Sequence, residues 1–104
     1  MDNRNPLEVF GNRNETLRIE DSSIVHTDKR GQERKISIAD IQKVQIVSII
    51  SLPGISTIGF ITKHARKTIF GTNVDLVFYF QASSELPYAE NIEKYIIEFQ
   101  AKQG

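Results

Sequence analysis

The sequence predicts a mainly β fold with one C-terminal helix, a barrel of about seven antiparallel strands capped by an amphipathic α-helix. Three observations carry this. Val74, Leu76, Phe78 and Phe80 alternate with Asp75, Val77 and Tyr79, the period of a half-buried strand. Pro53-Gly54 divides the uncharged run 44–62 into two β-branched halves. Only near the end does the spacing change to three and four, at Ala89, Ile92, Ile96 and Phe99.

In chain order, residues 7–10 form a short apolar run closed by the turn signal Gly11-Asn12. Leu17 and Ile19 share one face of a strand over residues 16–20, and Asp21-Ser22 is a tight connection to a strand over 23–28. Lys29-Arg30-Gly31-Gln32 makes a hairpin tip, and Ile36 and Ile38 mark the returning strand over 35–38. Ala39-Asp40 breaks the run before strands over 43–50 and 55–62, joined by a type II turn with Gly54 at the position of positive φ. Residues 63–73 read as a loop with a short hairpin around Thr68-Ile69-Phe70. A strand over 74–80 precedes a helix over 86–102, capped by Ser84, with Pro87 in its first turn and Phe99 plugging the core. Such a helix is marginal alone in water, so its apolar stripe must dock on the strands. Bending the sheet into a barrel would hide the strand edges, and the helix would close one end.

With 104 residues, 39% hydrophobic and 25% charged, the chain has the composition of one soluble domain: a flexible tail over 1–6, the domain over 7–102 and a tail over 103–104. Thirteen basic residues balance thirteen acidic ones, which argues against nucleic acid captured by bulk charge. The absence of cysteine excludes disulfides, a thiolate nucleophile and Cys-type zinc sites. Residues 1–6 do not open a secretory signal, and polar residues with Pro53-Gly54 interrupt 44–62, so a cytoplasmic, non-transmembrane protein is expected, peripheral to the membrane at most.

Leu7-Glu8-Val9-Phe10-Gly11, Leu17-Arg18-Ile19-Glu20-Asp21 and Ile24-Val25 resemble the opening of the short bacterial pleckstrin-homology-like (PH-like) domains. Residues 35–44, with Ile36, Ile41 and Val44, are similar to their central strand, and Gly54-Ile55-Ser56-Thr57-Ile58-Gly59-Phe60-Ile61 to the next, with Phe60 where the family often has Tyr. Val77-Phe78-Tyr79-Phe80 and a helix ending in Tyr95-Ile96-Ile97 complete the order, over roughly 7–100. The resemblance implies a PH-like barrel that serves as a binding scaffold for proteins, peptides or lipid headgroups. Domains of this kind are often followed by a helical oligomerisation segment of the SHOCT type, which has no counterpart within the 104 residues.

Two groups of candidate site residues stand out. Lys29, Arg30, Arg34 and Lys35 surround one hairpin tip, and Lys63, Arg66 and Lys67 lie in a later loop. If both loops open on one side they form a basic mouth for an anion or lipid headgroup; otherwise they are ordinary solvated turns. The lipid-binding motif of eukaryotic relatives falls on residues 10–15, where only Arg13 is basic. Ile50, Leu52 and Ile55 around Pro53-Gly54 form either an exposed apolar tip or a lid folded over the barrel, and Tyr79, Tyr88 and Tyr95 line a groove beside the helix or pack at the rim. His26 and His64 lack metal-ligand spacing, Ser56, His64 and Asp75 form a triad on paper only, and Gly54–Gly59 lacks the end of a phosphate loop. No enzyme, cofactor or metal is therefore expected. The reading is a non-catalytic interaction module that binds a protein or peptide, including a second copy of itself, through a sheet edge or the groove beside the helix; the alternative is a peripheral membrane or anionic-ligand binder using the basic loops 29–35 and 63–67.

Overall fold

The computed structural model describes residues 4–63, 67–68, 71–72 and 75–103. β1 (Glu8–Phe10), β2 (Thr16–Glu20), β3 (Ser23–Thr27) and β4 (Glu33–Ser37) form an antiparallel four-stranded meander. β5 (Ile41–Ser48), β6 (Ile55–Thr62) and β9 (Leu76–Gln81) form a second antiparallel sheet in that order, and the two-residue strands β7 (Lys67–Thr68) and β8 (Gly71–Thr72) pair as a small hairpin. The chain ends in α1 (Ala82–Gln103).

The seven main strands do not close into the expected barrel. Among the described residues no ladder joins β4 to β5 or β1 to β9. The cause is local: after Ser37 the chain takes a 3-10 turn over Ile38–Asp40, which ends β4 and starts β5 in a new direction. The two sheets face each other across a common core, and α1 covers the opening between them. Inward residues of the first sheet (Val9, Leu17, Ile24, Ile36) meet Ile58, Phe60, Leu76, Phe78 and Phe80 of the second, with Ala89, Ile92 and Ile96 of α1.

Turn chemistry explains the connections. Asp21 and Ser22 both have positive φ, 50° and 66°, as a two-residue hairpin whose twist matches its strands requires. Gly54 has φ 83° and Ile55 N–H donates to Leu52 O at 3.0 Å, which fits the type II turn read from Pro53-Gly54. Gly11 is small for a different reason: a Cβ there would lie 2.5 Å from Cζ of the buried Phe78 ring.

The helix begins four residues earlier than expected, directly after β9. Ser84 lies inside it and does not cap it, and Pro87 sits one turn in. The Ala82 N–H is satisfied by Gly54 O at 2.9 Å, so a tertiary partner replaces the capping side chain. Phe99 also departs from expectation. It is half-buried at the core's margin and stacked on Tyr95 with centroids 6.5 Å apart, whereas Ile92 and Ile96 are fully buried. Ile96→Ala should therefore cost about 2–5 kcal/mol in urea unfolding, and Phe99→Ala less. The reverse order would mean that the helix docks with a different face.

Candidate functional site

Among its strand residues, the outer face of the β5-β6-β9 sheet carries a single charged side chain, Lys43, opposite Ile61 at one end. Side chains alternate across a strand, so Ser56, Ile58 and Phe60 face the core and Ile55 and Thr57, both half-buried, take the other face with Gly59 and Ile61, which are buried there. The register sets Val47, Thr57 and Tyr79 in one row and Gln45, Gly59 and Val77 in the next. Val47 and Tyr79 are each 48% exposed and Val77 42%. At the end of the same hairpin Ile50 is 97% exposed and Leu52 50%, so this tip does not fold back as a lid. Four of the expected partner-surface residues, Ile50, Leu52, Ile55 and Tyr79, thus gather on one hairpin and sheet face. The meander's outer face has the opposite character. There Arg18 donates to Glu20, Thr27 and Glu33 at 2.9–3.1 Å, and its hydrogen bond to Glu33 raises its pKa further.

An edge of β5 that is unpaired among the described residues borders this face. Ile49 N–H donates to Ile55 O at 3.1 Å, which fixes the alternation of the β5–β6 ladder. Lys43, Gln45 and Val47 direct their backbone groups toward β6, whereas Val44, Ile46 and Ser48 direct theirs away from it. Among the described residues no strand pairs with that side of β5. Val44 and Ile46 are only half-buried although they point inward, as expected where β4 and β5 splay apart.

The basic residues are dispersed. Lys29 and Arg30 lie exposed in the β3–β4 turn, which Asp28 organises by accepting the backbone N–H groups of Arg30 and Gln32 at 2.8 and 2.9 Å. Those bonds, Gln32's first, hold the Asp28 carboxyl below its ordinary pKa. Lys35 is exposed on the outer face of β4, while Arg34 reaches across to donate to Asp75 O at 2.9 Å. Asp75 Oδ2 accepts from Thr62 N–H and Oγ1 at 2.8 and 2.9 Å, next to Lys63. This bridge brings the first basic hairpin beside the end of β6. Lys63 lines an open cleft of about 540 Å³ with Ala39, Ile41, Gln42, Gln100 and Gln103. Lys67 belongs to β7, and Arg66 lies outside the described residues.

Tyr88 and Tyr95 point elsewhere than Tyr79. Tyr95 lines a shallow groove of about 330 Å³ with Pro6, Leu7, Asn91, Lys94 and Glu98. Tyr88 lies over the Arg4 guanidinium, 3.6 Å from its carbon to the ring centroid, and Phe10 flanks the same group at 4.2 Å. Arg4 pairs with Glu85, and Asn91 Nδ2 donates to Pro6 O at 3.1 Å, so the segment expected to be a flexible tail is tied down from Arg4 onward. Sequence reasoning missed this cluster: Arg4 read as part of a tail.

His26 packs edge-on against Phe78, centroids 5.6 Å apart, and His64 lies outside the described residues. Ser56 and Thr62, which holds Asp75, are six residues apart on β6, about 20 Å at the rise of a strand. Among the described residues no group of three or more His, Cys, Asp or Glu could hold a metal ion, and no helix is long and apolar enough to cross a membrane. No protein family, curated protein or solved structure was found to match the chain.

Glu85 supplies a pH dependence. Burial pushes its carboxyl up, but the hydrogen bonds from Arg4 and the Phe10 N–H outweigh this and hold its pKa below the ordinary 4.5. The folded state therefore favours the ionised form. Its stabilisation is complete above about pH 4.5 and is lost as the pH falls through the folded value. Glu85→Gln should lower stability at neutral pH by about 1–3 kcal/mol. Denaturant titrations should show the gap to wild type shrinking in acid, and a constant gap would assign the loss to packing.

Proposed function

We propose that this chain is a non-catalytic, PH-like interaction module that binds an extended protein or peptide segment along β5 and across the outer face of the β5-β6-β9 sheet. The meander of four strands, the sheet of three and the terminal helix follow the order that the resemblance to PH-like domains implies, and this supports the family reading. The observation that carries the binding reading is the coincidence of a sheet face charged only at Lys43 with an edge of β5 that no strand among the described residues pairs. Val47, Val77 and Tyr79 lie exposed beside the outward backbone groups of Val44, Ile46 and Ser48. An added strand gains main-chain hydrogen bonds from such an edge and side-chain contacts from the adjoining face. Lys43 is the only charged residue of β5, so little opposes the approach of another strand. A second copy fits in antiparallel register about Ile46, which sets each Lys43 at an opposite end of the interface.

The Arg34–Asp75 bridge favours a second reading. It joins β4 to Asp75, which Thr62 holds next to Lys63, and this supports a reading in which basic side chains of the two loops take an anionic headgroup or a phosphate.

Selection from a random peptide display library separates the two. Enriched peptides should bind wild-type protein and lose at least about tenfold with Val47→Glu or Tyr79→Glu, exposed changes expected to alter stability by less than about 0.5 kcal/mol. They should bind Lys29→Ala/Arg30→Ala/Lys63→Ala protein unchanged. Sedimentation with anionic vesicles at low salt, abolished by the triple alanine variant, would instead establish the second reading.

A further inference from the structure

The contacts around Arg4 form a receptor for the two terminal nitrogens of a guanidinium group, while Nε is buried without a hydrogen-bond partner. Nη1 donates to Glu85 Oε2 at 3.1 Å, Nη2 to Glu85 Oε1 and to Glu8 O at 3.0 Å, and the Tyr88 and Phe10 rings flank the plane. A carboxylate fork between aromatic faces suits arginine's planar group and not lysine's compact ammonium. The receptor groups belong to the framework: Glu8 and Phe10 to β1, Glu85 and Tyr88 to successive turns of α1. The Phe10 N–H holds Glu85 Oε1 at 2.8 Å independently of Arg4. Only the guanidinium comes from outside, on a segment joined to β1 through Asn5, Pro6 and Leu7. Asn91 adds a contact that free arginine could not use, since its Nδ2 donates to the main-chain carbonyl of Pro6, two residues beyond Arg4.

We infer that Glu85, Tyr88, Phe10 and Asn91 form a recognition site for an arginine carried on an extended polypeptide, and that Arg4 is its internal occupant. A partner arginine followed by a main-chain carbonyl two residues later displaces the Arg4 segment and takes the same contacts. Arg4 acts as a tethered competitor, so wild-type protein answers only to a partner that also binds elsewhere, and loss of Arg4 exposes the full affinity. One wall of the site is open, since Phe10 is 43% exposed. The site lies apart from the β5 edge, and its success or failure leaves the preceding proposal untouched.

The test uses the full chain with Arg4→Ala, which leaves the buried Glu85 carboxylate without its guanidinium. Its melting temperature should fall. Millimolar N-acetyl-arginine amide should restore part of the loss, and N-acetyl-lysine amide should not. A capped peptide of the chain's own sequence Arg-Asn-Pro-Leu should bind Arg4→Ala protein at least tenfold more tightly than wild type by calorimetry, and Arg4→Ala/Glu85→Gln should lose both rescue and binding. Equal response to the arginine and lysine amides, or equal peptide affinity for wild type and variant, would overturn the inference. Should Arg4→Ala fail to fold, the same comparison on Arg4→Lys, which keeps a cation beside Glu85, decides it by the same criteria.

Discussion

Ala89, Ile92 and Ile96 form the stripe of α1 on which both sheets depend, because among the described residues no strand pairing holds the sheets together. All three are fully buried, and they complete a core whose largest side chains are Phe60, Phe78 and Phe80. A closed barrel would share that burden among its ladders; here it falls on the side-chain packing between the sheets and on one helix. Both ends of the helix are tied to the strands it covers. Glu85 binds the Phe10 N–H of β1, and the Gln100 side chain donates to the carbonyl of Ile41 at the start of β5. Fixing the helix at these points leaves the splay between β4 and β5 open. The free edge of β5 follows from how the core is closed.

The two outer faces differ in a way that stability alone does not require. The meander meets solvent with a lattice in which Arg18 joins Glu20 and Glu33, a device that keeps a sheet soluble and discourages other strands. The second sheet has no such lattice on Val47, Thr57, Tyr79, Gln45, Gly59 and Val77. Its neighbouring edge is guarded at one end only: β5 contains no proline, and its one lysine, Lys43, sits at the register irregularity after Ile41. Native sheets normally protect both, and from Val44 to Ser48 this edge has no charge or proline to keep another chain away.

Much of the fold was legible because its elements carry strong local signals. The alternation at Leu76, Phe78 and Phe80, the Pro53-Gly54 turn and the three-four spacing of Ala89, Ile92 and Ile96 each encode one element through side-chain period or backbone φ. Barrel closure was not legible, since whether β4 continues into β5 depends on a single 3-10 turn at Ile38–Asp40 whose residues also fit a strand. Nor was the helix start: Ala82 is capped by a carbonyl from Gly54, and no side chain near it announces that partner. In the candidate site, Ile50, Leu52, Ile55 and Tyr79 were visible as apolar residues in turns or on outward strand positions. Their union with the β5 edge was hidden, because it arises from register between strands distant in sequence. The Arg4–Glu85 pair spans nearly the whole chain, and no local pattern encodes such a contact.

The proposal of docking along β5 requires its outward backbone groups to be unoccupied in the free protein. Amide hydrogen exchange resolved by residue tests it most directly. In the free protein the amides of Val44, Ile46 and Ser48 should exchange much faster than those of Gln45 and Val47, which donate to β6, and a bound peptide should protect the first set. Slow exchange at Val44, Ile46 and Ser48 in the free monomer, or no added protection with peptide bound, would contradict the account.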